Sequence, residues 1–386
     1  FKQKTAYEIM PSLVGSEMCI RDSSRRCLST CSPPIKLKRR ILLMTDKTNE
    51  DWEYGLNLER LSGESNSESV ILGEGDFSYE VSGKNWGKLP EGWVYKEATS
   101  VAINSKDEIY VFNRGTTPMI IFDTDGNVKD SWGDGVFSNP HGVSIGPEDE
   151  VYCADNGDSS IRKFTPDGKL LLTIGTPGSP AEKMSGNPFN RPTYVAVDNQ
   201  TGDIYVADGY SNAKVHKFTP DGKHVLSWGE SGTGEGQFNI VHDIIIDKDG
   251  WVYIADRENH RIQVFDKNGN FQTQWGNFSR AAAICLDSSQ GRDLIYIGEY
   301  FCGLGTNDTG TDLGPRVSII DTNGKLVARL GHESFGEETG RFFSPHGIAV
   351  DSHGDIYVAE VSWSDYGSRM DPPRELRSMQ KLVKLK

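Results

Sequence analysis

Three histidines stand at equivalent places in short, similar segments of the chain. They are His141 in "SNPHGVSIG", His242 in "NIVHDIIID" and His346 in "SPHGIAVD", and each immediately precedes an alternating apolar run. Imidazole nitrogen is a common zinc ligand, and a catalytic zinc site typically combines three protein ligands with one open position. If the fold brings the three side chains together, they would form a site of this kind.

The segments that carry these histidines belong to a repeat. An aliphatic residue followed by tyrosine, a short apolar step and usually an acid recurs at Tyr110, Tyr152, Tyr205, Tyr253, Tyr296 and Tyr357. Each copy follows an alternating apolar run, and most precede a third run, an Asp-Gly or Asn-Gly hairpin turn and a fourth run. Repeated units of four antiparallel strands are typical of propeller blades. The sequence therefore predicts an all-β fold, a six-bladed β-propeller of four-stranded antiparallel blades.

The propeller is expected to span residues 78–386. Its last blade lacks a fourth run, whereas "YEVSGKNWG", from Tyr79 to Gly87, resembles one and stands before the first blade. We therefore expect this N-terminal strand to pair with the C-terminal blade and close the ring, which removes an exposed sheet edge. Residues 1–43 resemble translated adapter sequence and are expected to be a non-native leader. Residues 44–77 are expected to be a poorly ordered N-terminal extension.

Composition narrows the class of partner. The formal net charge is −14, whereas sequence-independent binding to nucleic acid phosphates requires clustered lysine and arginine. No apolar run approaches the length of a membrane span. We therefore expect neither nucleic acid nor a membrane as partner, but a monomer acting on a small molecule or peptide. Since the native N-terminus is expected to be missing, the sequence does not distinguish a cytoplasmic from a secreted protein.

The histidines alternate around the expected ring. The positions just before strand one of the six blades hold, in order, Thr99, His141, Thr193, His242, Ala282 and His346. Alternate blades of a six-bladed ring are about 120° apart, so the three imidazoles would converge on the axis and bind a metal. The alternative is that each histidine only caps a tight turn inherited from one ancestral blade. Duplication alone does not explain threonine and alanine in the odd blades.

A second set of polar residues follows strand two and is expected on the same face. Arg114 and Arg257 offer paired donors to a carboxylate, and Tyr210 offers a group that donates or accepts a proton. The acids that end strand two are interpreted as turn-holding residues, with a calcium site as the weaker alternative. They are Asp155, Asp208, Asp256, Glu299 and Glu360. Two insertions after strand two, in blades five and six, are expected to form a substrate-selecting rim.

Three segments carry a family resemblance: "RPTYVAVDNQTGDIYVADGY", "GQFNIVHDIIID" and "YIADRENHRIQVF". With the spaced histidines they resemble NHL-repeat propellers and, more narrowly, the peptidyl-α-hydroxyglycine α-amidating lyase family, from about Leu89 to Lys386. The resemblance implies zinc ligands at His141, His242 and His346, a catalytic tyrosine at Tyr210, and site arginines at Arg114 and Arg257. The implied reaction cleaves a C-terminal α-hydroxyglycine into a peptide amide and glyoxylate, so the substrate carries a C-terminal carboxylate.

The chain departs from the family pattern at three positions. Ser344 stands where the animal enzymes have methionine, Gly347 where they have an aspartate serving a structural calcium, and Ser211 where a disulfide cysteine follows the tyrosine. The zinc constellation is intact, and a structural Ca2+ stays an open expectation. Two alternative functions remain. One is a non-catalytic NHL propeller that binds a protein or peptide. The other is a calcium-dependent propeller lactonase or esterase, which would need axial carboxylates and asparagine in place of the histidines.

Overall fold

The computed structural model describes residues 69–82, 86–289, 291–300, 314–331 and 335–386. The leader predicted at residues 1–43 and most of the extension predicted at 44–77 lie outside the described residues, so these calls stay predictions. The described end of that extension, residues 69–77, contains the strand Ile71–Leu72, which pairs with Tyr79–Val81. Most of the insertion predicted in blade five also lies outside them, since residues 301–313 are not described.

The described residues form a β-propeller of six antiparallel blades, as the repeat predicted. Blades one to five each contain four strands that pair in chain order. The strands of blades one and two are Ala98–Ile103, Ile109–Asn113, Met119–Phe122, Val128–Trp132, Pro140–Ile145, Val151–Asp155, Ser160–Phe164 and Leu170–Ile174. Those of blades three to five are Tyr194–Val197, Ile204–Asp208, Lys214–Phe218, His224–Trp228, Val241–Ile246, Val252–Asp256, Arg261–Phe265, Phe271–Trp275, Arg280–Asp287, Leu294–Tyr300, Arg316–Asp321 and Leu326–Leu330.

The sixth blade takes strands from both ends of the described chain. In spatial order its strands are Pro345–Val350, Ile356–Glu360, Met379–Lys384, Tyr79–Val81 and Ile71–Leu72. The strand Tyr79–Val81 pairs antiparallel with the C-terminal strand, and its Tyr79 and Val81 share a core cluster with Leu382. This pairing occupies the edge of the C-terminal strand, which would otherwise be free to pair with another chain.

A few short elements lie in the connections between strands. They are a parallel strand pair, Glu230–Ser231 with Gln237–Phe238, the α-helix Ser362–Asp365, and the 3-10 helices Gly75–Phe77, Arg257–Asn259 and Gly367–Arg369. Among the described helices, none has the length and apolar character that crossing a membrane requires. Cys153 and Cys285, the two cysteines in the described ranges, are both free thiols.

Strand two of each blade is buried on both faces because it contacts the neighbouring blades. Every residue of Val252–Asp256, for example, is buried. Tyr205 and Ala207 of blade three pack in one cluster with Val252 and Ile254 of blade four. A strand buried on both faces requires a nearly continuous apolar run. This requirement explains why the aliphatic-tyrosine signature recurs in every blade.

The first strands place the residues that precede them around the axis. First strands of neighbouring blades contact one another around the whole ring, including blade six with blade one. Because strands one and two are antiparallel, the start of strand one lies beside the end of strand two, as Val241 does beside Asp256. The loops that lead into strand one and those that leave strand two therefore open on one face, which we call the site face.

Replacing Tyr79 by alanine tests whether the N-terminal strand is part of the propeller. The side chain is fully buried in the core of blade six, and emptying such an aromatic position typically costs about 3 to 5 kcal/mol. We expect a loss of this order in the free energy of unfolding, measured by chemical denaturation. Glu80→Ala, at a partly exposed position in the same strand, is the control and should change little. Equal stability of the two variants would exclude this strand from the fold.

Candidate metal centre

The histidines of blades two, four and six meet at the axis. The ring centroids of His141 and His242 are 5.0 Å apart, and His346 lies 4.6 Å from each of them. All three residues are buried, and one ligating atom from each lies within 4.8 Å of the others. Within the described ranges this is the one group of three or more histidine, cysteine or acidic residues with such spacing. The structure thus brings together the three histidines that the sequence singled out.

Each histidine is held by the backbone of the next blade. The Nδ1 atoms lie 2.8, 2.6 and 2.5 Å from three carbonyl oxygens, the pairs being His141 with Thr193, His242 with Ala282, and His346 with Thr99. A carbonyl oxygen only accepts, so Nδ1 is the donor and the neutral ring leaves Nε2 without a proton. Metal-ligating histidines are commonly fixed in this way, with one nitrogen donating to an acceptor while the other faces the metal.

Burial keeps these imidazoles neutral. Loss of hydration lowers the pKa of His141 and of His242 well below 6.5, and nearby positive charge, from Arg114 and Arg257 respectively, acts in the same direction. Burial also lowers the pKa of His346 to about 3, although its hydrogen bond to Thr99 opposes the shift. The neutral form is the one that binds a metal. The site therefore holds three ligands ready for an ion at neutral pH.

Tyr210 lies against the metal-facing nitrogens. Its hydroxyl is 3.0 Å from Nε2 of His141 and 3.1 Å from Nε2 of His242. Gly209 allows this placement, because a Cβ atom there would lie 1.9 Å from the carbonyl oxygen of Val241. The Tyr210 hydroxyl is thus within hydrogen-bonding distance of two of the three atoms that would ligate a metal.

Arg114 is fixed by a buried acid and by the blade-six helix. Its Nη1 donates to Glu97 at 2.7 Å, and its Nε donates at 3.2 Å to the carbonyl oxygen of Pro140, the residue before His141. Glu97 also accepts hydrogen bonds from the backbone nitrogen and the hydroxyl of Ser364, at 2.7 and 2.6 Å. The insertion of blade six therefore reaches blade one at the metal centre, in agreement with the predicted rim.

Arg257 lies between two tyrosine rings and shares its acid with a second arginine. Its guanidinium is 5.6 Å from the ring centre of Tyr210 and 5.4 Å from that of Tyr300. Glu258 forms ion pairs with Arg257 at 2.8 Å and with Arg280 at 2.7 Å. Burial alone would lower the pKa of Arg257, but the neighbouring tyrosines and Glu258 raise it. Two cations share one carboxylate here, whereas Arg114 is matched by Glu97 alone.

Three further residues belong to this environment and were not selected from the sequence. The ring of Tyr300 lies 6.0 Å from that of His346, Arg280 lies 5.2 Å from the ring centre of Tyr300, and Arg191 lies 5.1 Å from that of Tyr210. Tyr300 ends strand two of blade five, at the place aligned in sequence with Arg257, so its position carried the same signal. Arg280 is the first residue of strand one of blade five, and Arg191 precedes strand one of blade three; the alignment considered only one residue at each of these places.

The strand-two acids hold the loops that precede the histidines. Asp155 accepts backbone N–H groups of Ser138 and Asn139, at 2.6 and 2.9 Å. Equivalent contacts join Asp208 to Asn190, Asp256 to Asn239, Glu299 to Ser279, and Glu360 to Phe343 and Ser344. The contact is made in blades with and without a histidine, so it belongs to the repeat and positions the loop. These contacts agree with the interpretation of the acids as turn-holding residues.

The departures from the family pattern have structural counterparts. A Cβ atom at Gly347 would lie 2.6 Å from the Cα of Ser100, so an aspartate there would require the backbone to shift. This position supplies no carboxylate, and the residues present do not fit the implied structural calcium. The hydroxyl of Ser344 donates to Asp365 of the blade-six insertion at 2.5 Å, a polar contact that methionine would not make.

Two segments of the chain match a repeat family model, and the chain is similar to named proteins. The NHL repeat family model matches residues 189–218 and 238–265. The chain is 33% identical over 267 residues to peptidyl-alpha-hydroxyglycine alpha-amidating lyase 1 of Drosophila melanogaster, which covers 64% of this chain and 48% of that protein. It is 34% identical over 207 residues to NHL repeat-containing protein 3 of Homo sapiens, which covers 50% and 58%. The chain thus spans about half the length of these curated relatives.

A solved structure shares the fold. A gluconolactonase from Xanthomonas campestris superposes with a TM-score of 0.53 over 83% of this chain and 96% of that one, at 10% sequence identity. This level of identity supports the propeller fold alone.

The buried histidines predict a stability that depends on pH in the metal-free protein. The pKa of His346 is about 3 in the folded chain against 6.5 for a free imidazole, so between these values the unfolded chain binds more protons. Stability is therefore full above pH 6.5 and falls as the pH is lowered towards 3. Chemical denaturation of metal-free protein at pH 7 and at pH 5 measures this loss. His346→Gln should show a smaller loss, and identical losses in both proteins would contradict the prediction.

Proposed function

We propose that this NHL-repeat propeller is a zinc-dependent lyase that cleaves an α-hydroxyglycine-type substrate into an amide and glyoxylate. The observation that carries the proposal is the buried triad His141, His242 and His346, anchored through Nδ1, with the Tyr210 hydroxyl at the Nε2 atoms of His141 and His242. The choice of reaction is supported by the similarity to the lyase of Drosophila melanogaster and by the matched arginines.

The donor set fits a catalytic zinc ion. His141, His242 and His346 would hold it through Nε2, and three protein ligands with one further position free are typical of such sites. A bound zinc ion supplies Lewis acidity, which lowers the pKa of a coordinated hydroxyl group. The neutral imidazoles and their carbonyl partners require no rearrangement of protons before binding.

Tyr210 is the residue proposed to move the proton. In the reaction the bond between the hydroxyl-bearing carbon and the amide nitrogen breaks, and that carbon becomes the aldehyde of glyoxylate. The hydroxyl loses one proton and the departing nitrogen gains one. The geometry of the Tyr210 hydroxyl suits this role. It lies 3.0 and 3.1 Å from the Nε2 atoms of His141 and His242, and a general acid or base must be within hydrogen-bonding reach of the proton that it transfers.

Charge pairing assigns different roles to the two arginines. Arg257 and Arg280 share Glu258 in ion pairs, and the buried Asp365 also interacts electrostatically with both. Because two guanidinium groups share one ion-paired carboxylate, Arg257 is better placed than Arg114 to bind a substrate carboxylate. Arg114 is neutralised by Glu97, which is 1% exposed. Arg114 would therefore orient the loop before His141, while Arg257 would bind the carboxylate.

The alternative functions fit the site less well. A calcium-dependent lactonase needs oxygen ligands at the axis, where this chain presents three imidazole nitrogens. A propeller that only binds a protein has no need of three converging imidazoles, whose burial costs hydration free energy unless their nitrogens are satisfied. Zinc chemistry uses these nitrogens directly.

Metal content is the first test. We expect about one zinc per chain in purified protein and none after His141, His242 and His346 are all changed to alanine. The control variant replaces His224 and His353, which lie at hairpins away from the axis, and should keep the metal. Atomic absorption on gel-filtered samples gives the content, and circular dichroism checks the fold. A folded wild-type protein that takes up no zinc would rule out the proposal.

Glyoxylate release from α-hydroxyhippurate is the second test. Tyr210→Phe should lower kcat by about 10²- to 10⁴-fold, the usual contribution of a general acid or base, while zinc content stays unchanged. Tyr205→Phe, in strand two of the same blade, is the matched control and should retain activity. If wild-type protein with bound zinc releases no glyoxylate, the reaction assigned here is wrong, even though the metal centre is real.

A further inference from the structure

A cavity of about 420 Å³ lies beside Arg114 on the site face. Its walls come from the loop before strand one of blade one, the loop after strand two of that blade, and the insertion of blade six. Besides Arg114, its lining includes Val94, Lys96, Trp363 and Glu375. The roles proposed above for the metal centre use Arg114 and none of the other four.

The cavity is tied to the metal centre by a chain of short hydrogen bonds. Ser364, the neighbour of Trp363, donates to Glu97 at 2.7 and 2.6 Å, and Arg114 donates to the same acid at 2.7 Å. Arg114 also donates to Pro140, whose neighbour is His141. These bonds therefore fix the backbone next to Trp363 relative to the loop that carries His141.

The cavity walls are apolar with balanced charge. Val94 is 45% exposed and Trp363 is partly exposed. Both side chains are largely apolar, so covering them with an apolar ligand would be favourable. The positive charge of Arg114 is matched by Glu97, and Lys96 stands with Glu375 at the cavity. Lys96 has a φ of 55°, a left-handed conformation that costs a non-glycine residue free energy and is often found at functional sites.

We propose that this cavity binds the acyl side of the substrate, so that the protein acts on α-hydroxyglycines whose acyl group or preceding residue is bulky and apolar. This inference rests on the proposed function. In such a substrate the hydroxyl group would bind at the triad and the carboxylate at Arg257. The acyl group beyond the amide nitrogen is the part that still needs a binding site. A volume of about 420 Å³ lies within the range of small-molecule pockets and accommodates a benzoyl group or a phenylalanine side chain.

Trp363→Ala tests whether the cavity binds the acyl end of the substrate. We expect kcat/KM to fall about tenfold or more for N-benzoyl-α-hydroxyglycine, the range expected for losing an apolar contact, and less than twofold for the N-acetyl compound. Val94→Ser tests the same wall at a position that is 45% exposed and tolerates polarity. The matched control is Trp251→Ala, since Trp251 is 39% exposed in the turn between strands one and two of blade four, at the other end of its blade. Equal losses for both substrates would overturn the proposal.

Binding of uncleavable ligands distinguishes this proposal from the lyase assignment. N-benzoylglycine and N-acetylglycine lack the hydroxyl group and are measured by calorimetry on zinc-loaded protein. We expect the benzoyl compound to bind at least about tenfold more tightly to wild type and this advantage to disappear in Trp363→Ala and Val94→Ser. If the advantage is present but no α-hydroxyglycine is cleaved, the cavity assignment holds and the lyase proposal fails. If cleavage occurs but the two acyl groups bind equally, the cavity assignment fails alone.

Discussion

The hydrogen bond from histidine Nδ1 to a carbonyl oxygen of the next blade is the interaction on which the site depends. It explains the alternation seen in the sequence, because even blades supply the imidazole and odd blades supply the acceptor: Thr193 for His141, Ala282 for His242 and Thr99 for His346. Only a backbone oxygen is required of the odd blades, so threonine and alanine serve equally. The bond also fixes the tautomer and thereby turns every Nε2 towards the axis.

These bonds can form because the blades on either side of them are packed together. A core cluster joins each pair of blades that share a bond: Tyr152 with Val195 for blades two and three, Tyr253 with Ala281 for blades four and five, and Tyr357 with Val101 for blades six and one. Protein interiors are close-packed and resist small displacements. The distance from a histidine to its carbonyl is therefore set by the same apolar residues that define the repeat.

The sequence predicted the parts of the site that follow the repeat, and it did not predict the parts formed by distant loops. The propeller and the convergence of His141, His242 and His346 followed from periodic positions. The contact between Ser364 and Glu97 joins residues 267 positions apart, and no local sequence pattern predicts it. Arg280 was missed for the same reason, since its place beside Tyr300 and Glu258 depends on how neighbouring loops fold over the axis. Repeat symmetry positions the three histidines, whereas some of the contacts around them, such as that of Ser364 with Glu97, come from an insertion that breaks the symmetry.

The balance of charge around the three histidines differs from that of the whole chain. The chain has a formal net charge of −14, yet the triad is neutral and its nearest ionised neighbours include Arg114, Arg257 and Arg280, compensated in ion pairs by Glu97 and Glu258. A divalent ion on three uncharged ligands would keep its full charge and add to this local excess. Because charge interacts more strongly in a buried site than in water, the most favourable counter-charge is an anion brought by the substrate. An overall acidic protein thus places arginine side chains around three neutral histidines, where the proposed substrate carboxylate would bind.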